Sequence, residues 1–315
     1  MKSEKGGMEE WQRSNVRTLK RFNIRTFHPP KSLIGASLAL ASAACIAVTF
    51  IASKEAMREL SPLAFTPIWF LVASAWGLGF YLFQYGWYVP GEVKSSLRPI
   101  LWLGFLNGLA NWLFFSSINL GDPTLVAFFS RSETIYSVLL GAWLLGERMR
   151  RYQWLGIAIA LIGTGLMTFQ GGRVVFTVML LTLASNFFLA LSTLVAKKYV
   201  HTVPPLILST GRTLVMTFML GLMGLVAQQL TWPGLISWLW IIGGAFFGPF
   251  LSYLLFYQSL RYLDLAKGAV IRATQPLFVA VYSLLLFGVL IDWPQFLGGV
   301  AMMAGVLVML WEREK

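Results

Sequence analysis

The sequence predicts an all-α integral membrane protein with ten transmembrane helices, arranged as two inverted five-helix repeats. Three observations predict this fold class: an apolar composition, an internal duplication and a one-sided distribution of basic residues. The chain of 315 residues is 57% hydrophobic and only 12% charged, whereas soluble domains contain about 25% charged residues. Apolar runs of roughly 18–24 residues recur along it, and each is long enough to cross a hydrocarbon core as a helix.

Ten such runs follow one another, and the residues between them support the boundaries. Ser61–Pro62 and Asp122–Pro123 each place a capping side chain before a proline, as is typical of helix starts. Asp264 stands at the position that matches Asp122 in the duplication and is predicted to cap its own helix. In chain order, the predicted spans are residues 33–53, 63–83, 99–118, 124–145, 152–169, 174–196, 205–227, 235–258, 267–287 and 294–311.

A gapless duplication relates the two halves of the chain. Residues 103–170 align with residues 245–312 at one constant offset, so that Gly163, for example, meets Gly305. An offset that holds across helices and turns alike indicates a duplicated structural unit. The predicted domains are a basic cytoplasmic amino tail (residues 1–32), a first five-helix repeat (33–170) and a second five-helix repeat (174–312).

The basic residues predict the orientation in the membrane. Nineteen of the 25 Lys and Arg lie in the two tails and in the connections on their side, whereas the opposite side has only Lys54, Arg58 and Arg173. By the positive-inside rule, both termini are cytoplasmic, and we expect a multi-pass protein of the cell (inner or plasma) membrane. Five helices is an odd number, so the second repeat enters the membrane in the opposite sense. Inverted repeats let one packing scheme produce two conformations that open to opposite sides.

Several classes of function are disfavoured. The net charge of +12 is explained by the loop bias, so we expect no nucleic-acid partner. The lone Cys45 permits no intramolecular disulfide, and the histidines lack ligand-like spacing. We therefore expect no metal and no cofactor, and without a phosphate-binding loop we expect no direct use of ATP. The amino tail suits either an amphipathic helix on the inner leaflet or a disordered basic segment.

Short motifs resemble the drug/metabolite transporter superfamily, specifically its ten-helix EamA-type branch. Leu144–Arg148 followed by Trp154–Gly156 is similar to the family's short connection between the fourth and fifth helices. Gln275–Ala280 resembles the start of its ninth helix, Ala184–Phe187 resembles its sixth helix, and Arg212 stands where the second helix of a repeat often carries an arginine. The resemblance implies a transporter whose central cavity is lined by helices three, four, six, eight and nine, with export as the usual role.

Four residues with charged side chains lie well inside predicted spans: Arg131, Glu133, Arg212 and Arg272. A charge at the bilayer centre costs at least about 2.5–3.5 kcal/mol, so such groups usually face a cavity or a partner. For Arg131 we weigh a substrate or gating charge against a structural ion pair with another helix. For Glu133 we weigh a proton-coupling carboxylate against a partner of an arginine. Arg272 is either a cavity charge or an anchor that reaches the cytoplasmic interface.

Polar and aromatic side chains on the same spans complete the candidate site. Asn107 and Asn111 lie one helical turn apart beside Trp112, Tyr253 is the repeat counterpart of Asn111, and Tyr257 lies one turn beyond Tyr253. Any one of them is also explained by hydrogen bonding between helices, but together they predict a shared cavity. The candidate substrate-binding residues are Asn107, Asn111, Trp112, Arg131, Glu133, Asn186, Arg212, Tyr253, Tyr257, Arg272 and Gln275.

The sequence therefore predicts a secondary active transporter, an exporter by family resemblance, that works by alternating access. Three intramembrane arginines against one glutamate favour a small anionic or zwitterionic metabolite, such as an amino acid or a carboxylate. The expected partners are this substrate and the lipid bilayer, with possible proton coupling, in a monomer or a homodimer. One alternative is efflux of cationic or amphipathic drugs. The other is a non-transporting membrane enzyme or scaffold, although the clustered acids or histidines expected of a lipid-modifying enzyme are absent, so we expect no enzymatic activity.

Overall fold

The computed structural model describes residues 31–86, 97–145, 151–169, 172–263, 268, 271–272, 274–288 and 293–309. Every regular element within these ranges is a helix. One segment, Phe246–Ser252, is π-helical. In chain order the α-helices are α1 (Lys31–Ala56), α2 (Pro62–Tyr85), α3 (Leu97–Leu120), α4 (Pro123–Phe129), α5 (Ser132–Leu145), α6 (Arg151–Phe169), α7 (Gly172–Tyr199), α8 (Pro205–Val226), α9 (Leu235–Ala245), α10 (Tyr253–Ser259), α11 (Gln275–Phe287) and α12 (Trp293–Met309).

Six helices in the described ranges are long and apolar enough to cross a membrane. They are α1, α2, α3, α7, α8 and the continuous run Leu235–Ser259 formed by α9, the π-helical segment and α10. Shorter apolar stretches lie in α6, α11 and α12. The predicted all-helical membrane class is therefore confirmed for the described part of the chain, while the number of ten spans stays a prediction.

Side chains cap two helices where the sequence predicts it. The Asp122 carboxylate accepts hydrogen bonds from the backbone N–H groups of Thr124 at 2.7 Å and Leu125 at 3.3 Å. Ser61 Oγ accepts from the N–H of Ala64 at 3.2 Å. Each cap satisfies a backbone donor that has no partner within its own helix. The matching cap predicted at Asp264 lies outside the described residues.

The predicted fourth span is not one continuous helix. It is interrupted between α4 and α5, where Arg131 N–H donates to the carbonyl of Phe128 at 2.9 Å and Thr134 N–H donates to the carbonyl of Arg131 at 3.1 Å. These bonds reach back three residues, as in a 3₁₀ turn. Ser130 Oγ also donates to the carbonyl of Val126 at 2.7 Å, a local side-chain bond that bends helices. Hydropathy alone does not reveal such an interruption.

Two further irregularities lie in the second repeat. Pro249 lies inside the π-helical segment, where its missing N–H disturbs the regular helical ladder. Immediately before α11, Thr274 N–H donates to the carbonyl of Ile271 at 3.2 Å, and Leu277 N–H donates to the carbonyl of Thr274 at 3.0 Å. Both bonds again reach back three residues, so the backbone tightens at the start of α11 as it does between α4 and α5.

The packing of α6 against α12 is reciprocal. A Cβ atom on Gly163 would lie 2.5 Å from the carbonyl oxygen of Gly298, and one on Gly305 would lie 2.5 Å from the carbonyl oxygen of Gly156. The repeat alignment exchanges these two contacts, because it matches Gly163 with Gly305 and Gly156 with Gly298. The two helices therefore meet about a local two-fold relation, which is what a duplicated unit produces.

Most of the remaining helices form two groups around the centre of the molecule, while α2 and α8 pack against members of both groups. Helix α1 packs mainly against α9, the π-helical segment, α10 and α11, and we call these elements the α1 group. Helix α7 packs mainly against α3 and α5, and these three helices are the α7 group. Helix α4 lies between the groups, with contacts to α11 and α1 on one side and to α7 and α3 on the other, and α1 also contacts α3 directly. A buried aromatic cluster that includes Phe50, Trp69 and Phe115 lies beside this boundary.

Candidate functional site

A cavity of about 520 Å³, part of which is open to the surroundings, lies between the α1 group and the α7 group. Water-sized molecules can occupy about 50 Å³ of it, which is room for a few water molecules. Its lining combines two classes of side chain. The apolar members are Ile46, Phe50, Trp69, Phe70, Phe114, Phe115, Leu189 and Pro249, and the polar or charged members are Thr49, Asn111, Ser130, Arg131, Glu133, Asn186, Tyr253, Arg272 and Gln275.

Arg131 joins the interruption of the fourth span to the start of α11. Only 4% of this residue is exposed. Its Nη1 donates to the backbone carbonyl of Arg272 at 2.6 Å, and its Nη2 donates to Gln275 Oε1 at 2.7 Å. Both acceptors are neutral, and the ion pair found among the described residues is the one between Arg58 and Glu55. The structural ion pair considered for Arg131 is therefore not formed there, and its positive charge faces the cavity without a carboxylate partner.

Arg272 points into the protein. The Cζ atom of its guanidinium lies 4.2 Å from the ring centroid of Phe256 and 5.7 Å from that of Tyr253. Cations are attracted to aromatic faces at such distances. Its Nε is buried and has no hydrogen-bond partner among the described residues. This placement favours a cavity charge over an anchor at the membrane interface.

Glu133 is held by a hydroxyl group. Its Oε1 accepts a hydrogen bond from Thr193 Oγ1 at 3.2 Å, and it forms no ion pair with any arginine in the described part of the chain. Arg131 lies in the interruption between α4 and α5, and Glu133 lies in the first helical turn of α5. In this arrangement both side chains line the cavity. The alternative in which Glu133 directly neutralises an arginine is therefore not formed in this structure.

A second cavity of about 370 Å³ adjoins the first. Three charged residues, Arg131, Glu133 and Arg272, line both cavities. The remaining lining residues of the second cavity are Thr134, Ser137, Thr193 and Phe256. The charged residues thus lie between two adjoining spaces.

Arg212 and Asn107 support the site from behind. Arg212 is fully buried, and its Nη1 donates to Asn107 Oδ1 at 3.0 Å while its Nη2 donates to the carbonyl of Pro249 at 3.2 Å. Its Cζ lies 3.7 Å from the ring centroid of Tyr253. Asn107 Nδ2 also donates to Ser192 Oγ. Arg212 therefore supports the Tyr253 ring from outside the cavity lining, and Asn107 in turn holds Arg212.

Two asparagines contribute amide groups. Asn111 Nδ2 donates to the carbonyl of Asn107 at 2.8 Å. Asn186 Nδ2 donates to the carbonyl of Phe129 at 3.2 Å and to Ser132 Oγ at 2.8 Å, which ties α7 to the interruption between α4 and α5. Asn186 Oδ1 is buried and has no hydrogen-bond partner within the described ranges. Two residues of the cavity wall, Asn186 and Arg272, therefore carry a polar atom without a partner in the described part of the chain.

The structure brings seven of the eleven predicted site residues to the cavity. They are Asn111, Arg131, Glu133, Asn186, Tyr253, Arg272 and Gln275. Asn107 and Arg212 lie behind Tyr253, as described above. Tyr257 is 2% exposed and belongs to an apolar cluster with Phe256 and Leu260, and Trp112 packs against the main aromatic cluster.

Sequence reasoning missed the aromatic part of the wall, which includes Trp69, Phe70, Phe114 and Phe115. Aromatic residues in an apolar span have the same pattern whether they face a cavity, the protein core or lipid. Pro249 carried a usable signal, because a proline inside a predicted span marks a disturbed helix that often lies near a binding site.

The electrostatic environment of the cavity is positive. Helices α5 and α11 begin at Ser132 and Gln275, next to lining residues, and the start of a helix carries partial positive charge. Two guanidinium groups and one carboxylate line the wall. Among the described residues no cluster of three or more His, Cys, Asp or Glu side chains is present that could hold a metal ion. The arrangement suits a ligand with negative charge.

The chain is similar to several known proteins. A "Probable amino-acid metabolite efflux pump" of Salmonella typhimurium is 23% identical over 276 residues, covering 83% of this chain and 89% of that protein. The protein of the same description in Escherichia coli (strain K12) is 26% identical over 168 residues, covering 51% of this chain and 53% of its own length. An uncharacterized transporter of Archaeoglobus fulgidus is 24% identical over 220 residues, covering 69% of this chain and 78% of that protein.

A solved crystal structure shares the fold, with a TM-score of 0.64 at 17% sequence identity, covering 89% of this chain and 96% of its own. The model of the EamA-like transporter family matches the chain twice, over residues 33–169 and 176–311. The protein, a multi-pass membrane protein with apolar spanning helices, therefore belongs to the EamA-like transporter family.

Proposed function

We propose that the protein is a secondary active transporter that exports a small anionic or zwitterionic metabolite, such as an amino acid or a carboxylate, by alternating access. The observation that carries this proposal is the pair of inward-facing guanidinium groups, Arg131 and Arg272, in a cavity with a single carboxylate, Glu133. We further propose the cell membrane as its location, with both termini cytoplasmic, on the basis of the loop charge bias.

The free polar atoms of the wall match a zwitterion. A substrate carboxylate accepts from the unpaired Nε of Arg272 and is attracted by Arg131 and by the starts of α5 and α11. A substrate ammonium group donates to Glu133 and to the unpaired Oδ1 of Asn186, and the Tyr253 ring offers a cation–π face. A plain carboxylate uses only the first set of groups. Both substrates therefore leave fewer buried polar groups without a partner than an apolar substrate does.

We assign two kinds of role to the candidate residues. Some of them support the cavity wall without contacting the substrate, because they lie outside the lining of both cavities. These are Asn107, Trp112, Arg212 and Tyr257. The proposed substrate-contacting residues are Asn111, Arg131, Glu133, Asn186, Tyr253, Arg272 and Gln275.

The relatives support the export of amino acids without fixing the substrate. The Salmonella typhimurium and Escherichia coli proteins are named as probable amino-acid metabolite efflux pumps, at 23% and 26% identity. At such identity the transport role is a better guide than the substrate, because substrate choice depends on a few side chains in the cavity.

Counterflow into proteoliposomes tests the proposal directly. Purified protein is reconstituted with an unlabelled amino acid or dicarboxylate inside, and uptake of the same labelled compound is measured. We expect uptake of at least one anionic or zwitterionic compound, reduced about tenfold or more by Arg272→Gln and unaffected by Arg173→Gln, a change at an exposed arginine. The tenfold effect corresponds to the loss of one charge-assisted hydrogen bond, about 1.5–3 kcal/mol. Counterflow that is insensitive to Arg272→Gln would contradict the assigned site.

Efflux of cationic or amphipathic drugs is a second candidate, favoured by the aromatic wall of Trp69, Phe70, Phe114 and Phe115. The same vesicles test it with a fluorescent lipophilic cation. Because two guanidinium groups line the cavity, the cation should be transported less well than the anionic or zwitterionic compounds. Transport of the cation alone would replace the proposal, and absence of all counterflow would favour a non-transporting role.

A further inference from the structure

Two lysines occupy matching positions near the ends of helices. Lys54 lies in the last turn of α1, and Lys197 lies in the last turn of α7. The segment from Lys54 to Pro62 corresponds to the segment from Lys197 to Pro205, so the two lysines are repeat counterparts. In inverted repeats such counterparts lie at opposite faces of the membrane.

Lys54 binds the end of α3. Its Nζ donates to the carbonyl oxygens of Ile118, Asn119 and Gly121, each at 2.9 Å. The last carbonyls of a helix have no partner within the helix, and they carry partial negative charge. An ammonium group has three donors, and here all three are used on one helix end.

Lys197 makes the corresponding contact in the second repeat. Its Nζ donates to the carbonyl oxygens of Leu260 and Leu263, each at 3.3 Å, immediately beyond the end of α10. The repeat alignment matches Ile118 with Leu260 and Gly121 with Leu263. The same contact, a lysine ammonium group bound to the carbonyl oxygens at the end of a helix, is therefore present twice, and we call each one a clasp. Lys54 makes three short hydrogen bonds and Lys197 makes two longer ones.

Each clasp crosses the boundary between the two helix groups. Lys54 belongs to α1 and binds α3 of the α7 group, whereas Lys197 belongs to α7 and binds the end of α10 in the α1 group. The cavity lies between the same two groups. One lysine thus holds the groups together at each face, with the cavity between them.

We propose that Lys54 and Lys197 are alternating clasps. Each lysine releases its carbonyl oxygens when the protein opens at the membrane face on which that lysine lies. The proposal rests on the proposed function, because it requires two access states. Opening at one face separates the two groups there, and a hydrogen bond of about 3 Å does not survive a separation of a few ångströms. Both clasps are formed in this structure, so the groups are held together at both faces.

Access to the cavity from each face provides the test. Leu189, an apolar lining residue, is replaced by cysteine in a Cys45→Ala protein. A membrane-impermeant maleimide then labels it in right-side-out or inverted vesicles without substrate. Lys54→Met should raise labelling from the Lys54 face about tenfold relative to the other face, equivalent to about 1.4 kcal/mol. Lys197→Met should shift the ratio in the opposite direction, by a smaller factor because its bonds are fewer and longer.

Matched variants separate this mechanism from a loss of charge or of folding. Lys198→Met removes a neighbouring charge that lies 5.7 Å from the ring centroid of Tyr199, and it should leave the labelling ratio unchanged. Lys54→Arg keeps charged donors and should restore most of the wild-type ratio. The double variant Lys54→Met/Lys197→Met should lie between the two single variants. If Lys54→Met does not accumulate as folded protein, Lys54→Gln is compared with Lys54→Arg in its place.

Two results would overturn the clasps: no change in the ratio, or a change in the same direction for both lysines. Either would make the lysines simple helix caps. Labelling needs no substrate, so the test stands apart from the counterflow experiment. Opposite shifts without counterflow would reject the proposed substrates and keep the clasps, whereas counterflow without opposite shifts would reject the clasps alone.

Discussion

Adding one methyl group at Gly163 or Gly305 should destabilise the protein by forcing α6 and α12 apart. A Cβ on Gly163 would lie 2.5 Å from Gly298 O, and one on Gly305 would lie 2.5 Å from Gly156 O. Ordinary contact begins near 3.4 Å, so the helices must separate by about 1 Å. A gap of that size forfeits a quarter to a half of each dispersion contact.

The expected magnitude follows from two opposing effects. Overpacking costs about 1–3 kcal/mol, and the better helix propensity of alanine returns about 0.5–1 kcal/mol. Each single variant should therefore lose about 1–2 kcal/mol of unfolding free energy. The double variant should lose about as much as the worse single variant, because one separation accommodates both methyl groups and the two changes are coupled.

Equilibrium unfolding by SDS in mixed micelles, followed by far-ultraviolet circular dichroism, measures these differences. Gly79→Ala and Gly243→Ala are the controls, because nothing lies within 4 Å of a Cβ at either position. Both controls should be neutral or stabilising by up to about 1 kcal/mol. Single variants that behave like the controls, or a double variant whose loss equals the sum of the two, would refute the reciprocal packing.

Three further outcomes are expected. Glu133→Gln keeps hydrogen bonding but removes titration, so a proton-coupled transporter should lose accumulation driven by a pH gradient and keep counterflow; unchanged accumulation would end the proton-coupling hypothesis. In a Cys45→Ala background, a cysteine at Tyr253 should react with a water-soluble thiol reagent and one at Tyr257, one turn away in an apolar cluster, should not; equal reactivity would contradict the cavity boundary. A reporter fused after Gln229 should be external, and a cytoplasmic signal there would contradict the predicted topology.

Helix positions and ends were predictable where local chemistry decides them. The Asp122 cap follows from a carboxylate placed before a proline, and the α6–α12 crossing agrees with the matched glycines of the duplication. The positions of small residues in the sequence were less informative about how the helices pack. Of the neighbouring pair Gly243 and Gly244, Gly244 lies against Trp69, whereas Gly243 has open space beside it. Such a difference depends on helix rotation, which an apolar sequence does not encode strongly.

The candidate site was predictable from charge but not from geometry. Arg131 and Glu133 lie two positions apart, about 200° around a regular helix, which predicts that they face different sides. The helix is interrupted at Arg131, so both residues line the cavity. Arg212 has the same intramembrane character as Arg272, yet it lies behind Tyr253. The cost of burying a charge predicts that such residues have partners. It does not predict whether a residue lines the cavity, as Arg272 does, or lies behind the lining, as Arg212 does.

The interruption between α4 and α5 removes the helical hydrogen-bond partner of a backbone carbonyl group, which must then find another partner. A backbone carbonyl without a partner costs several kcal/mol at membrane depth. The carbonyl of Phe129, at the end of α4, accepts a hydrogen bond from the Asn186 amide group, a role that an ordered water molecule otherwise takes. All seven residues of α4 are buried, so no lipid reaches this backbone. The helix can therefore be interrupted inside the protein without a water molecule bound at this carbonyl.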